Sequence, residues 1–333
     1  MDVPARDTLA ALTALVRTRG GDAGAEVHTL AALPGHAGFS YSFVVDGSDG
    51  SSRKMVVRLA PPGVKIAGPA DVARQAKIMM SLADTAVPVP PVYWYGDEPE
   101  LFGRPYMVVG FVGGFKLVES ALPQDDLRRL GRAGVEMLAA LHSLLWEPRC
   151  AAFGNPFPLS EEMQRLDHLL DRPTLDPGLV AAAPALRQRL YATLPEAARI
   201  GCVHGDFQWA NILFDAMRPV ALIDWEIALI GPTLLDVGWI SFFADPGSFH
   251  DTSLQPPAIL SPDEIAETYA AAAPYPVATE HIRWFRAFAG YRFGVITCFN
   301  VMLHRRGKRH DPHWELIAPS APLMFEHGLQ LLS

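Results

Sequence analysis

The sequence predicts an α+β chain of two lobes, with residues 1–112 as a five-stranded antiparallel sheet plus helix and residues 113–333 as a mainly helical lobe. Three observations carry this expectation. As far as Gly113-Gly114, short β-rich segments alternate with turn residues. Beyond it, apolar positions recur at helical spacing. Within the helical part, residues 202–226 break the pattern with two short apolar runs around a polar cluster, read as a small hairpin beside a loop. The 333 residues are half apolar and 19% charged, enough for a sizeable core and too apolar for a disordered chain.

The elements follow in order. "MDVPARDTLAALTALVRTRGG" spaces its apolar residues as an amphipathic helix and lacks the basic start of a signal peptide. "EVHTLAAL" (26–33), "FSYSFVVDG" (39–47) and "SRKMVVRLA" (52–60) are strands, the last two joined by the turn residues "DGSDGSS". The loop "LPGHAGFS" (33–40) links the first pair. "PADVARQAKIMMSLAD" (69–84) carries one apolar face behind a proline and predicts a helix. "VPPVYWYG" (89–96) and "RPYMVVGFVGG" (104–114) complete the sheet. Helices are then expected over 122–146, 160–171, 178–198, 262–273, 280–304 and 313–332, with Pro and Gly at most joins. Trp225, Trp239, Trp284 and Trp314 read as core or pocket wall.

Charge narrows the function. Residues 201–239 hold Asp206, Asp215, Asp224, Glu226 and Asp236 against Arg218 alone, which is half of the net −8. An uncompensated anionic cluster invites a cation. No broad basic stripe points to nucleic acid; "HRRGKRH" (304–310) is the one local exception, at the favourable C-terminal end of a long helix. No apolar run is long enough to cross a bilayer, so a cytoplasmic protein is expected. Cys150, Cys202 and Cys298 are far apart, without a CxxC pair, and read as ordinary buried thiols.

In "CVHGDFQWANILFD" (202–215) and "ALIDWE" (221–226), Asp206 and Asn211 are five residues apart and Asp224 follows 13 later. A loop followed by a hairpin can bring two carboxylates and an amide oxygen to one point. Those are hard ligands of the kind Mg²⁺ takes when it also binds substrate phosphates. The carboxylate left over can act on a substrate hydroxyl, the division of labour that phosphoryl transfer needs.

"VHGDFQWAN" resembles the HGDxxxxN catalytic loop of the aminoglycoside phosphotransferase (APH) and choline kinase-like family of small-molecule kinases, whose fold is protein-kinase-like. "IDWE" and "GPTLLDVGW" resemble its two later motifs, in the family's order. The resemblance implies Asp206 as the catalytic carboxylate and Asn211 and Asp224 as Mg²⁺ ligands. It also implies that His204 and Asp236 brace the loop, with Glu226 nearby, either as a hydrogen-bonded support or near a second metal.

In the first lobe the resemblance implies the grip on ATP or GTP. Gly35, His36, Ala37 and Gly38 stand at the phosphate turn, where backbone N–H groups can cradle an anion. Arg58 stands at the strand lysine, with Gln75 of "ARQAK" where a glutamate partner is usual, and the backbone of Val109, Gly110 and Phe111 would meet the base. The acceptor is then a small-molecule hydroxyl. The DWE form and Arg58 resemble the branch associated with acyl-CoA metabolism, which favours a hydroxyacyl-CoA-like acceptor over an antibiotic. The acidic excess of only three across 116–200 and 240–333 is small for binding polycations. The neutral Gln75 and the altered turn leave a second reading open, a kinase-like nucleotide-binding protein with little or no transferase activity.

Overall fold

The computed structural model describes residues 5–33, 39–63, 65–147, 150–195, 198–251 and 259–333. Gly35, His36, Ala37 and Gly38 lie outside the described residues. The chain divides into two compact units, Met1–Gly114 with Val220–Ile227, and Phe115–Pro219 with Ala228–Ser333. The sequence places a single boundary after residue 112. The structure places it after Gly114 and assigns Val220–Ile227 to the first unit, where the Leu222 N–H donates to the Pro88 carbonyl (2.8 Å).

The first unit is a sheet with helices. α1 (Ala5–Arg19) precedes β1 (Glu26–Ala32), β2 (Ser40–Asp46) and β3 (Ser52–Leu59). After them come α2 (Val72–Leu82), β4 (Val92–Gly96), the short α3 (Pro99–Phe102) and β5 (Tyr106–Gly110). The strand order is β1-β2-β3-β5-β4, antiparallel throughout. β4 starts later than the sequence pattern suggests, because Pro88, Pro90 and Pro91 have no N–H to give a ladder. Period-2 alternation puts Met55, Val57 and Leu59 of β3 into a core with Leu12, Leu15 and Val16 of α1 and Phe43 of β2. Arg58, between Val57 and Leu59, therefore points to the opposite face. Asp71 starts α2 by accepting the Arg74 N–H (2.9 Å), which satisfies one of the donors that helix geometry leaves open.

The second unit is mainly helical, with α4 (Gln124–Ser143), α5 (Leu159–Leu170) and α6 (Ala183–Ala192) before its short strands. β6 (Ile200–Val203) pairs with β9 (Leu229–Pro232), with Cys202 opposite Ile230. β7 (Ile212–Asp215) pairs with β8 (Arg218–Leu222) as the expected hairpin. α7 (Leu234–Phe243), α8 (Pro262–Ala272), α9 (Thr279–Arg305), α10 (His313–Ile317) and α11 (Ala321–Leu331) follow. The single helix expected over 313–332 is two, separated by a 3-10 turn at Ala318–Ser320 that contains Pro319. The one expected over 178–198 is shorter, at Ala183–Ala192. Ser261 and Glu264 form a capping box at the start of α8.

α7 and β9 have no counterpart in the sequence reading. In α7 every residue from Leu234 to Phe242 is buried, so "LLDVGWISF" shows no polar face for periodicity to detect. A Cβ on Gly238 would lie 2.4 Å from the Phe285 carbonyl, so only glycine lets α7 and α9 approach this closely. All three cysteines are buried and free. The Cys150 and Cys202 sulfurs are 3.3 Å apart, and burial pushes the Cys298 thiol up to about 12. Among the described residues no helix is long and apolar enough to cross a membrane.

Candidate active site

The polar loop of the second unit hangs between β6 and β7, both of which are anchored by apolar residues. Cys202, Val203, Ile212 and Phe214 are fully buried. Gly205 turns the chain at φ +86°, a conformation that favours glycine. Asp236, in the first turn of α7 and fully buried, accepts the N–H groups of His204 and Gly205, both at 2.7 Å. His142 of α4 lies 3.2 Å from the same carboxylate through Nε2, and its Nδ1 is 2.7 Å from the Tyr269 hydroxyl. Burial pushes the Tyr269 hydroxyl far above its ordinary pKa, so it remains an O–H donor. A neutral His142 that donates from Nε2 to Asp236 and accepts at Nδ1 satisfies this chain. The bracing role expected of Asp236 thus has a physical basis, a buried carboxylate that fixes two consecutive loop amides, while the His204 ring accepts the Asp206 N–H at Nδ1 (3.3 Å).

Asp206 and Asn211 meet within this loop. The Asn211 amide donates to the Asp206 carbonyl (2.9 Å) and to its Oδ2 (3.0 Å). With its N–H groups turned that way, Asn211 keeps its own oxygen as an acceptor. Two further donors reach the same carboxylate: the Trp239 indole N–H to Oδ1 (2.8 Å) and the Gln208 amide to both oxygens (3.0 Å each). Sequence reasoning read Trp239 as core or pocket wall and did not single out Gln208 or His142. Trp239 is indeed buried, but a tryptophan's N–H needs a partner when buried, and nothing local in the sequence names it.

In the first unit, the Arg58 guanidinium bonds Asp224 Oδ1 (2.8 Å) and Glu226 Oε2 (2.6 Å). Asp224 sits at φ +68°, a left-handed conformation that a short carboxylate side chain tolerates and most residues do not. Beside it, buried Trp225 anchors the segment through its indole N–H to the Leu222 carbonyl (2.9 Å). Arg58, Glu226, Phe39, Ser40, Pro69 and Val72 line a cavity of about 370 Å³.

One expectation needs correction here. Gln75 does not hold Arg58: it is buried on α2, its amide donates to the Pro69 carbonyl (3.0 Å), and its Oε1 has no hydrogen-bond partner. Carboxylates from Asp224 and Glu226 bond Arg58 instead, with charge assistance that a glutamine lacks. Glu226 is therefore a guanidinium partner in this structure. Along Val109, Gly110 and Phe111, the Gly110 N–H donates to the Pro91 carbonyl (2.8 Å) and the Phe111 N–H to the Lys54 carbonyl (3.1 Å). Those two amides belong to the sheet and are not donors for a nucleotide base.

Among the described residues no group of three or more His, Cys, Asp or Glu is arranged to hold a metal. Asn211 in the second unit and Asp224 in the first each carry a hard oxygen, of the kind an ion takes when it has few protein ligands and completes its shell with water and phosphate. The chemistry legible in the second unit is a carboxylate held in one orientation by neutral donors. In the first it is an arginine paired with two acids at a cavity.

A model of the Phosphotransferase enzyme family (APH) matches residues 29–275. The chain is 26% identical over 287 residues to probable acyl-CoA dehydrogenase IBR3 of Arabidopsis thaliana, covering 79% of this chain and 35% of that one. It thus spans about a third of the length of that relative. A crystal structure from Ralstonia eutropha JMP134, assigned as an aminoglycoside phosphotransferase, superposes with a TM-score of 0.76 at 20% identity, over 96% of this chain and 98% of the other. A thermostable mutant of aminoglycoside phosphotransferase APH(4)-Ia, in ternary complex with ADP and hygromycin B, gives 0.62 at 17% identity, over 94% and 96%. These likenesses show the protein-kinase-like fold. With the family model matching more than half of the chain and the HGD loop, its Asp236 brace and the DWE segment in place, the chain belongs to the APH phosphotransferase family.

Proposed function

We propose that this protein transfers the terminal phosphoryl group of ATP or GTP to a hydroxyl of a small molecule. The observation that carries the reading is the Asp206 carboxylate, held by Trp239, Gln208 and Asn211 on a loop fixed by Asp236. Asp206 orients the acceptor hydroxyl and takes its proton as the oxygen attacks phosphorus. Asn211 and Asp224 would hold Mg²⁺, which when bound neutralises charge on the transferring phosphates. Arg58 turns its guanidinium from Asp224 and Glu226 toward phosphate. The base meets backbone near Val109 to Phe111 through groups other than the Gly110 and Phe111 amides.

For the acceptor, the reading extends to a hydroxyacyl thioester of coenzyme A. The small acidic excess disfavours a polycationic antibiotic. The name of the Arabidopsis relative, an acyl-CoA dehydrogenase, points the same way. "HRRGKRH" gives this extension only part of its charge. Arg305 is committed to Asp176 and Glu315, and Arg309 bonds Asn300, while Arg306 and Lys308 are exposed.

The test is incubation with Mg-ATP or Mg-GTP and a pool of hydroxyl compounds that includes hydroxyacyl-CoAs and aminoglycosides, read by mass spectrometry for a gained phosphate. A phosphorylated product identifies the acceptor. Nucleotide binding without transfer to any member would replace this reading with that of a binding protein. Asp224→Asn removes a carboxylate but keeps a residue that tolerates φ +68°. It is expected to weaken Mg-nucleotide binding by at least roughly 10-fold, the loss that even indirect metal partners produce. Calorimetry with and without Mg²⁺ checks this, and equal affinity in both proteins would remove Asp224 from the metal site.

A further inference from the structure

We propose that Trp239 is the fixed positioning residue for the Asp206 carboxylate, and that the acceptor hydroxyl enters by replacing Gln208 on it. This rests on the phosphotransferase reading above. An ionised carboxylate offers about four lone-pair directions. Four hydrogen bonds occupy them: Trp239 and Gln208 on Oδ1, Asn211 and Gln208 on Oδ2. A hydroxyl that is to donate its proton to Asp206 must displace one of these donors.

The three donors differ in how firmly they are held. Trp239 is 6% exposed and stands edge-on to Phe243 (5.1 Å between centroids) and Phe293 (5.8 Å). The Arg292 guanidinium lies 4.8 Å from its ring centroid. Arg292 is itself tied down, by an ion pair with Glu162 (3.2 Å) and an N–H to the Gly205 carbonyl (3.4 Å). The indole cannot leave without breaking this packing, and its displaced N–H would be buried without a partner. Asn211 is held twice, since its amide also bonds the Asp206 carbonyl. Gln208 is only half-buried, and its amide is shared between the two oxygens at equal distance. It is the donor that exchanges for a hydroxyl at least cost.

The step balances as follows. The hydroxyl O–H points to the Asp206 oxygen that Gln208 has left. The hydroxyl oxygen forms a bond to the terminal phosphorus, the bond from phosphorus to its bridging oxygen breaks, and that electron pair departs with the nucleoside diphosphate. The proton ends on Asp206 and is released to water when the product leaves. Trp239 keeps Oδ1 aimed throughout and touches neither reactant, so it is a positioning residue.

The experiment compares Trp239→Phe and Gln208→Ala by steady-state kinetics and by NMR of ¹⁵N-labelled indoles. Trp239→Phe keeps the aromatic packing and removes the N–H. It is expected to lower kcat by about 10–100-fold, the loss typical of small misplacement at a reacting centre, with both KM values within about 3-fold. Gln208→Ala is expected to lower the acceptor KM by about 2–10-fold, because one neutral hydrogen bond no longer competes. The indole resonance missing from Trp239→Phe should shift in Asp206→Ala. Unchanged kcat in Trp239→Phe, or a raised acceptor KM in Gln208→Ala, overturns the assignment. If the wild-type protein transfers no phosphate, the phosphotransferase reading fails by itself. The NMR arm then decides the positioning, which an indole resonance unmoved by Asp206→Ala would overturn.

Discussion

Asp206→Asn is expected to reduce phosphoryl transfer by about 10²–10⁴-fold while leaving nucleotide affinity close to wild type, the range that a lost general base commonly produces. The side chain is nearly isosteric, but the chemistry of its surroundings is not neutral to the change. Three donors converge on the native carboxylate, which accepts at both oxygens. An asparagine keeps one accepting oxygen. Whichever way it turns, its NH₂ must face the N–H of Trp239 or of Asn211, and neither can become an acceptor from that side. The variant therefore loses the group that takes the hydroxyl proton and disturbs the geometry around it. Single-turnover transfer from γ-labelled nucleotide and calorimetry on the same preparation check the two halves. Transfer at the wild-type rate would remove Asp206 from the reaction.

Asp236→Ala is expected to destabilise the second unit by about 2–6 kcal/mol, the cost of leaving two buried amide donors unsatisfied at about 1–3 kcal/mol each. The carboxylate is fully buried and accepts two backbone N–H groups at 2.7 Å, with His142 at 3.2 Å. Alanine leaves those two amides without their acceptor, in a space no larger than a lost carboxylate. Asp236→Asn should cost less, because its oxygen still satisfies one amide while its NH₂ opposes the other. Urea unfolding followed by tryptophan fluorescence ranks the three proteins. Equal midpoints would show that the loop is held by its flanking strands and not by Asp236. Because the loop carries Asp206, both variants should also lose transferase activity even where they remain folded.

The legible parts of this molecule are those written in short-range pattern. Alternation marked β2 and β3, turn residues marked their hairpin, and Pro and Gly marked most helix ends. The site was legible for a related reason. Asp206, Asn211, Asp224 and Asp236 are polar residues inside apolar segments, where they stand out as a cost that needs an explanation. α7 was illegible because it has no solvent face, and β9 because four residues, two of them Gly and Pro, carry almost no propensity signal.

The partners of the site residues divide along the same line. The sequence by itself determined the candidate groups and their order, since the HGD loop and the DWE segment are local strings that resemble the family's motifs. Only the tertiary structure decided which groups hold them. Arg58 is held by Asp224 and Glu226, more than 160 residues away, and not by nearby Gln75. Asp206 is held by the indole of Trp239, which the buried helix α7 brings to it. A hydrogen bond is set by the direction of two side chains in space, and packing of distant elements fixes that direction, so spacing along the chain carries no record of it.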